Sequence, residues 1–359
     1  MKYLNIALVG CGFFGQQLAA AFTQTSTKLV GVTDLQIGLA QDLANKYNST
    51  AYADLPSLLA QQSVDLVLIA TYNHSHRQIA EIALQYGCAV FVESPFTITQ
   101  PDADFLLQLA KLKQTTIFVG HCLRVLPGLQ QAKQIIQQQR LGKVTVVRAN
   151  RQRWLDPIFQ PNWWKNNIQL TGGKLFHEIH ELDLLGWLVG EVEYVFAQST
   201  NRAHLETPDH HDVIQLLLQF KNGIYGSLEM GSAYHLFKWD ITIHGELGSM
   251  LINFFTSSVT ISFANGHRQQ FNLYDEFEAD LSLRESSKGI QKYGQPNERC
   301  PYWLTRAIEL GASSVLAHLQ QQQSSVLCEV PARAICIADA ATRSMKNKTL
   351  TLVTYCKEE

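Results

Sequence analysis

The chain opens on a short apolar run, Leu4–Val9, and similar runs return at Lys28–Thr33, Leu66–Ala70, Ala89–Val92 and Thr116–Val119. Between them, apolar residues recur at helical spacing over Gln16–Thr23, Ile37–Lys46, Leu55–Gln61, His76–Gln85 and Pro101–Leu112. Short, nearly continuous apolar runs read as strands covered on both faces, and the amphipathic stretches supply the crossovers that parallel neighbours need. Right-handed crossovers then predict an α/β domain over residues 1–121. It is a doubly wound parallel sheet whose ligand crevice lies at the carboxyl ends of the strands.

After Gly120 the pattern changes. Leu126–Arg140 reads as a helix, Lys143–Arg153 as a strand, and Gly173–Leu188 as one further helix. Strand-like alternation then dominates at Val213–Phe220, Ile224–Gly231, Lys238–Gly245 and Ser249–Phe254, with turn signals at Asn222-Gly223 and Gly245–Gly248. Tyr274–Arg299 is polar and irregular. Helical spacing returns at Tyr302–Gln322 and Val330–Lys346, and an apolar strand, Leu350–Tyr355, closes the chain. Residues 122–359 are therefore expected to form an α+β domain with a large, mostly antiparallel open sheet.

Composition narrows the function classes. With 46% hydrophobic and 17% charged residues in 359, a sizeable core is available. Twenty-nine basic side chains against 31 acidic ones give a net charge of −2, which argues against nucleic acid or an anionic membrane surface as partner. No apolar run is long enough to span a bilayer. The N-terminus runs into a glycine-rich turn without a small-residue cleavage site, so no signal peptide is expected. Seven scattered cysteines, never arranged as C-x-x-C, read as reduced thiols of a cytoplasmic protein, with no structural metal expected.

The strongest local signal is Gly10-Cys11-Gly12-Phe13-Phe14-Gly15, placed between a strand and a helix. Gly10 permits the tight turn, Gly12 lets backbone approach a pyrophosphate, and Gly15 allows close packing of helix on strand, with Phe13 and Phe14 in the same bend. The helix tip offers unpaired N–H groups to phosphates. Asp34, at the end of the second strand, can accept both ribose hydroxyls of an adenosine. A carboxylate there repels a 2′-phosphate, and no Arg or Lys follows it, so NAD is favoured over NADP. This is the Rossmann dinucleotide pattern.

Further segments resemble one family. Ile69-Ala70-Thr71-Tyr72-Asn73-His74-Ser75-His76 resembles its "TPNxxH" segment, and Phe91-Val92-Glu93-Ser94-Pro95-Phe96 resembles "EKPL". Gly172-Gly173 through Asp183 resembles "GGG…D…H…D", with Trp187-Leu188-Val189-Gly190 behind it. Together with Asn222-Gly223 and Gly245–Ser249, these look like the Gfo/Idh/MocA oxidoreductases. The resemblance implies oxidation of a ring hydroxyl of a sugar, inositol or related polyol. It also implies a homodimer or homotetramer formed through one face of the C-terminal sheet. Carried over residue by residue, Thr71, Asn73 and His76 would lie beside the dinucleotide, and Glu93 and Ser94 near the nicotinamide ribose. Arg124 would be a basic substrate contact. His180 would be the general acid/base.

Two positions depart from the pattern. Ser94 replaces the lysine of "EKP", and Phe176 stands where the family has an aspartate. A histidine can take an alcohol proton unaided at neutral pH. His180 is therefore the expected base, with His177 and Lys165 as catalytic partners. Lys174, His121 and Trp163 are added to Arg124 as candidate substrate contacts. A two-histidine metal site would need completion by His210, His211 or Asp212. The two substitutions leave two other readings open: a regulator that senses NAD without turnover, and a redox-neutral enzyme that restores its NAD within each cycle.

Overall fold

The computed structural model describes residues 3–154, 164–205, 211–274 and 300–356. They divide into two compact units. The first contains β1 (Leu4–Val9), α1 (Phe13–Thr23), β2 (Thr27–Thr33), α2 (Ile37–Tyr47), β3 (Ala51–Tyr52) and α3 (Leu55–Gln61). It continues with β4 (Leu66–Ile69), α4 (His76–Gln85), β5 (Ala89–Glu93), α5 (Gln100–Leu112) and β6 (Ile117–Gly120). All six strands are parallel, in the order β3-β2-β1-β4-β5-β6. Strand order reverses between β1 and β4, which is where a doubly wound sheet opens its ligand crevice. The apolar runs are continuous because both faces are covered: all four residues of β4 are buried. Side chains cap two of the helices. Asp54 accepts from the Ser57 amide at 2.8 Å ahead of α3, and Thr99 accepts from the Asp102 amide ahead of α5.

The unit boundary differs from the sequence expectation. The first unit runs to Val125 and then takes back residues 300–331 from late in the chain. The helix Tyr302–Leu319 carries Leu304, Ile308, Ala312 and Val315 on one stripe, and these share a core with Ile6, Leu8, Leu18 and Phe22. Hydrophobic matching across the sheet, not chain continuity, decides where this helix belongs. Arg124 holds the segment behind it. Its Nη1 donates to the carbonyl oxygens of Val326 (3.1 Å) and Glu329 (2.7 Å), and the Val119 amide donates to Leu327 O. The side chain is fully buried. Arg124 therefore braces this unit where a substrate contact was expected, because an enclosed guanidinium must spend its donors on fixed acceptors.

The second unit contains α6 (Pro127–Gln137), β7 (Val144–Trp154), α7 (Ile168–Thr171), α8 (Lys174–His177), α9 (His180–Val189) and β8 (Val192–Thr200). Its remaining strands are β9 (Val213–Phe220), β10 (Tyr225–Gly231), β11 (Ala233–Gly245), β12 (Gly248–Asn253), β13 (Ser258–Phe263), β14 (Arg268–Asn272) and β15 (Thr351–Leu352). They form one sheet in the order β14-β13-β12-β11-β7-β10-β9-β8-β15, antiparallel except where β10 pairs with β7. Alternation sets its two faces. Val147, Ala149, Leu216, Leu218, Leu228, Ile241 and Ile243 are buried, while Arg148, Leu217 and Tyr225 are exposed. The helix Arg333–Asn347 packs against β8 and α9.

The helix expected over Gly173–Leu188 is broken. Glu178, with φ −108° and ψ 49°, separates α8 from α9. Among the described residues, no helix is long and apolar enough to cross a membrane, and none of their His, Cys, Asp or Glu side chains group in threes that could hold a metal ion. Trp163 and His210 lie outside the described residues. All seven cysteines are free thiols.

Candidate active site

The glycine bend is built as the fingerprint requires. Gly10 has φ +93°, and a Cβ there would lie 2.5 Å from Ala70 O; a Cβ on Gly15 would lie 1.9 Å from Gly10 O. Chain direction and helix packing therefore exclude side chains at both positions. Gly12 differs: a Cβ there would meet nothing within 4 Å. The bend opens to space where a pyrophosphate would approach. Gly12 is also the N-cap of α1 and supplies no side-chain cap, unlike the caps of α3 and α5. A helix tip without a side-chain cap is where a phosphate would bind. Asp34 fixes the rim. Its carboxylate accepts from the Cys11 amide at 2.7 Å and from the Gln36 amide at 2.8 Å. Phe13 is buried and meets Phe14 edge to face at 5.2 Å, so Phe13 would serve a dinucleotide through its backbone. Burial pushes the Cys11 thiol up to about 12, which makes it an inert core group. These residues fit the adenosine diphosphate half of NAD.

The loops after β4 and β5 carry the next candidates. Thr71 and Ser75 share a hydroxyl hydrogen bond of 2.8 Å. Asn73 is buried, and so is His76, whose ring bridges Pro95 O (2.8 Å) and Thr71 O (3.1 Å). His76 thus ties the two loops together from inside, and burial lowers its pKa. His121 is enclosed as well. Glu93 ends β5 so close to Gly120 that a Cβ there would sit 2.8 Å from Glu93 Oε2. Burial raises the Glu93 carboxyl to about 7, so near neutrality it divides between acid and carboxylate. Ser94 follows it and brings no charge.

In the second unit, the run His177-Glu178-Ile179-His180-Glu181 interleaves two imidazoles with two carboxylates across the break between α8 and α9. The carboxylates turn to the sheet. Glu178 pairs with Arg153 at 2.6 Å and with Arg151 at 3.3 Å, and Glu181 accepts from Arg151 at 2.9 Å and from the Trp239 indole at 2.7 Å. Glu181 is fully buried and Glu178 nearly so. Although burial works the other way, Arg153, Lys174 and Arg151 hold the Glu178 carboxyl well below the usual range. The imidazoles are half-buried. Burial, aided by the Arg151 guanidinium, lowers His180 to about 4, and burial with Lys165 holds His177 well below an ordinary histidine. Both are neutral at pH 7. Trp164 meets the His177 ring edge to face at 5.4 Å. Burial also lowers the half-buried Lys174.

This unit therefore gathers His177, His180, Lys165 and Lys174, four residues singled out from the sequence. Arg151, Arg153, Glu178, Glu181 and Trp239 were missed. Two arginines two apart on a strand, followed by two glutamates three apart, were the available signal, since buried charges must pair. Asp212, weighed as a metal ligand, instead accepts from the amides of Arg202, Ala203 and His204 with one oxygen.

Two family models match the chain: the NAD-binding Rossmann-fold domain of the GFO/IDH/MocA oxidoreductase family over residues 4–121, and a GFO/IDH/MocA C-terminal domain over residues 129–251. An uncharacterised oxidoreductase of Streptococcus pneumoniae is 30% identical over 95% of this chain and 96% of its own. The chain belongs to the Gfo/Idh/MocA oxidoreductases. A Gfo/Idh/MocA relative from Mediterraneibacter gnavus, named 2,7-anhydro-N-acetylneuraminate hydratase, is 28% identical over 96% of this chain and 95% of its own. Levoglucosan dehydrogenase in complex with NADH has the same fold, with a TM-score of 0.82 at 22% identity over 99% of this chain and 100% of that one. The chain is thus an enzyme of an NAD-binding family. The glycine bend, Asp34 and the N-terminus of α1 lie within the residues that the family's NAD-binding model matches.

Proposed function

We propose that this chain oxidises a ring hydroxyl of a sugar, inositol or related polyol, with His180 taking the hydroxyl proton. Bound NAD would supply the hydride acceptor. The observation that carries this reading is the place of His180, half-buried at the first position of α9 just after the break; its imidazole is neutral at pH 7, and a value lowered to about 4 makes it a weaker base than an ordinary histidine. Arg151, Asp183 and Glu178 are its charged neighbours, and Lys165 faces His177 beside it. The first unit would hold the cofactor through Gly10, Gly12, Gly15 and Asp34, and the free thiols fit a cytoplasmic setting.

A second reading keeps the same first step and closes the redox cycle, so that the hydride returns before product leaves. The hydratase name of the Mediterraneibacter relative, matched end to end, favours it, as does Ser94 in place of the family lysine. One experiment separates the two. The chain is incubated with NAD and a panel of sugars, inositols and anhydro-sugars, following product and nicotinamide absorbance together. Product with a matching rise in absorbance supports net oxidation, and product without it supports the closed cycle. A panel that yields no NAD-dependent product sinks both.

The proposal includes a homodimer or homotetramer through the outer face of the nine-stranded sheet. Leu217 and Tyr225 are 62% and 63% exposed there, and Leu217 pairs across strands with Phe196. Apolar side chains gathered on an outer face favour a second copy. Light scattering is expected to show a multiple of the chain mass, and Leu217→Asp to reduce it; a monomeric parent chain would contradict the assembly.

A further inference from the structure

Arg151 pairs with carboxylates on both sides of the joint between α8 and α9. Its strand, β7, lies inside the sheet between β11 and β10, and Trp239 is its register partner on β11. The guanidinium lies over the Trp239 ring at 4.7 Å. From that platform Nε reaches Glu178 at the break, and Nη1 reaches Glu181 in the first turn of α9. Only a guanidinium presents donors along two edges to two carboxylates at once; an ammonium is a point charge.

We infer that Arg151 is a positioning residue, whose fork sets the direction in which His177 and His180 stand and holds a positive charge against both. The inference rests on the reading of His180 as the proton acceptor. At the break, where Glu178 leaves helical geometry, the ion pairs fix α8 against α9. The glutamates are anchored to the sheet, and the imidazoles interleaved with them are carried along. Charge acts in the same direction. The groups facing His180 are Arg151 from β7, Asp183 from its own helix and Glu178 from the break. Lys165, Glu178, Arg153 and Arg151 face His177. Burial disfavours imidazolium, and Arg151 adds to that, whereas the carboxylates oppose it.

The test uses the full chain, with the imidazole signals of His177 and His180 titrated by NMR and the pH profile of kcat/KM measured on the substrate found above. Arg151→Gln removes charge and fork together. His180 is then expected to titrate at higher pH, the acid limb of kcat/KM to follow it, and kcat to fall about 10-fold or more. Arg151→Lys keeps the charge and loses the fork, so kcat falls while the acid limb stays in place. A merely structural arginine would lower activity without moving the limb. A folded Arg151→Gln variant whose His180 titrates as in the parent overturns the inference. If that variant does not fold, full kcat in Arg151→Lys overturns it instead. Failure of the underlying reading looks different: His180→Asn would turn over normally while the NMR shift in Arg151→Gln persisted.

Discussion

His180→Asn is expected to abolish turnover while leaving NAD binding intact, with kcat falling on the order of 10²- to 10⁴-fold, the usual contribution of a positioned general base. Asparagine keeps the size and one hydrogen-bonding edge but cannot take the proton. The parent chain's pH profile follows from the same group. The base form is the neutral imidazole, and burial with Arg151 lowers His180 to about 4. The acid limb that His180 imposes therefore lies far below the range of an ordinary histidine. Stability carries the opposite burden. Between the unfolded value near 6.5 and about 4, the unfolded chain binds the proton that folded His180 refuses. Stability is then full above the unfolded value and falls as pH drops through this window. An acid limb near 6.5 in the parent, or normal turnover in His180→Asn with NAD affinity kept, would show that another group moves the proton.

How far the sequence carried the fold depended on whether each signal was local. The runs that became β1, β4 and β5 were legible because both faces of a parallel sheet are buried, leaving unbroken apolar stretches. The glycine bend was legible because its chemistry lies within six residues. The break at Glu178 was not. Its neighbours keep helical apolar spacing, and the arginines that pair with Glu178 lie on β7, in a different element. The placement of Tyr302–Leu319 was hidden for the same reason: its stripe reads as amphipathic, but only the three-dimensional core shows that it matches α1. Arg124 taught a related lesson. A basic residue after a strand end resembles a site residue until its acceptors are known, and here they are backbone carbonyls some 200 positions on. His177, His180, Lys165 and Lys174 were singled out from motif and residue type. The lowered values of His177, His180 and Lys174 depend on burial and on Arg151, which no spacing reveals.

Two glycines three positions apart are expected to fail in different ways. In Gly15→Ala the new Cβ would lie 1.9 Å from Gly10 O, so α1 must move off the bend that aims it. Backbone cannot yield as a flexible side chain does, and a loss of about 3 kcal/mol or more is expected, together with loss of NAD binding. In Gly12→Ala the Cβ enters open space, at φ −69°, a conformation open to any residue. The variant without cofactor should lie within about 1 kcal/mol of the parent, because alanine narrows the unfolded ensemble but caps a helix less well than glycine. Its defect should appear only with ligand present, since the methyl occupies the space over which the pyrophosphate would pass. Thermal unfolding with and without NAD reads both effects. The parent's melting temperature rises with NAD by mass action. Gly12→Ala starts level and rises little, and Gly15→Ala starts low and does not rise. Were Gly12→Ala to gain as much from NAD as the parent does, the pyrophosphate would not cross this bend. The role given to the open tip of α1 would then fall, with both imidazoles of the second unit untouched by the result.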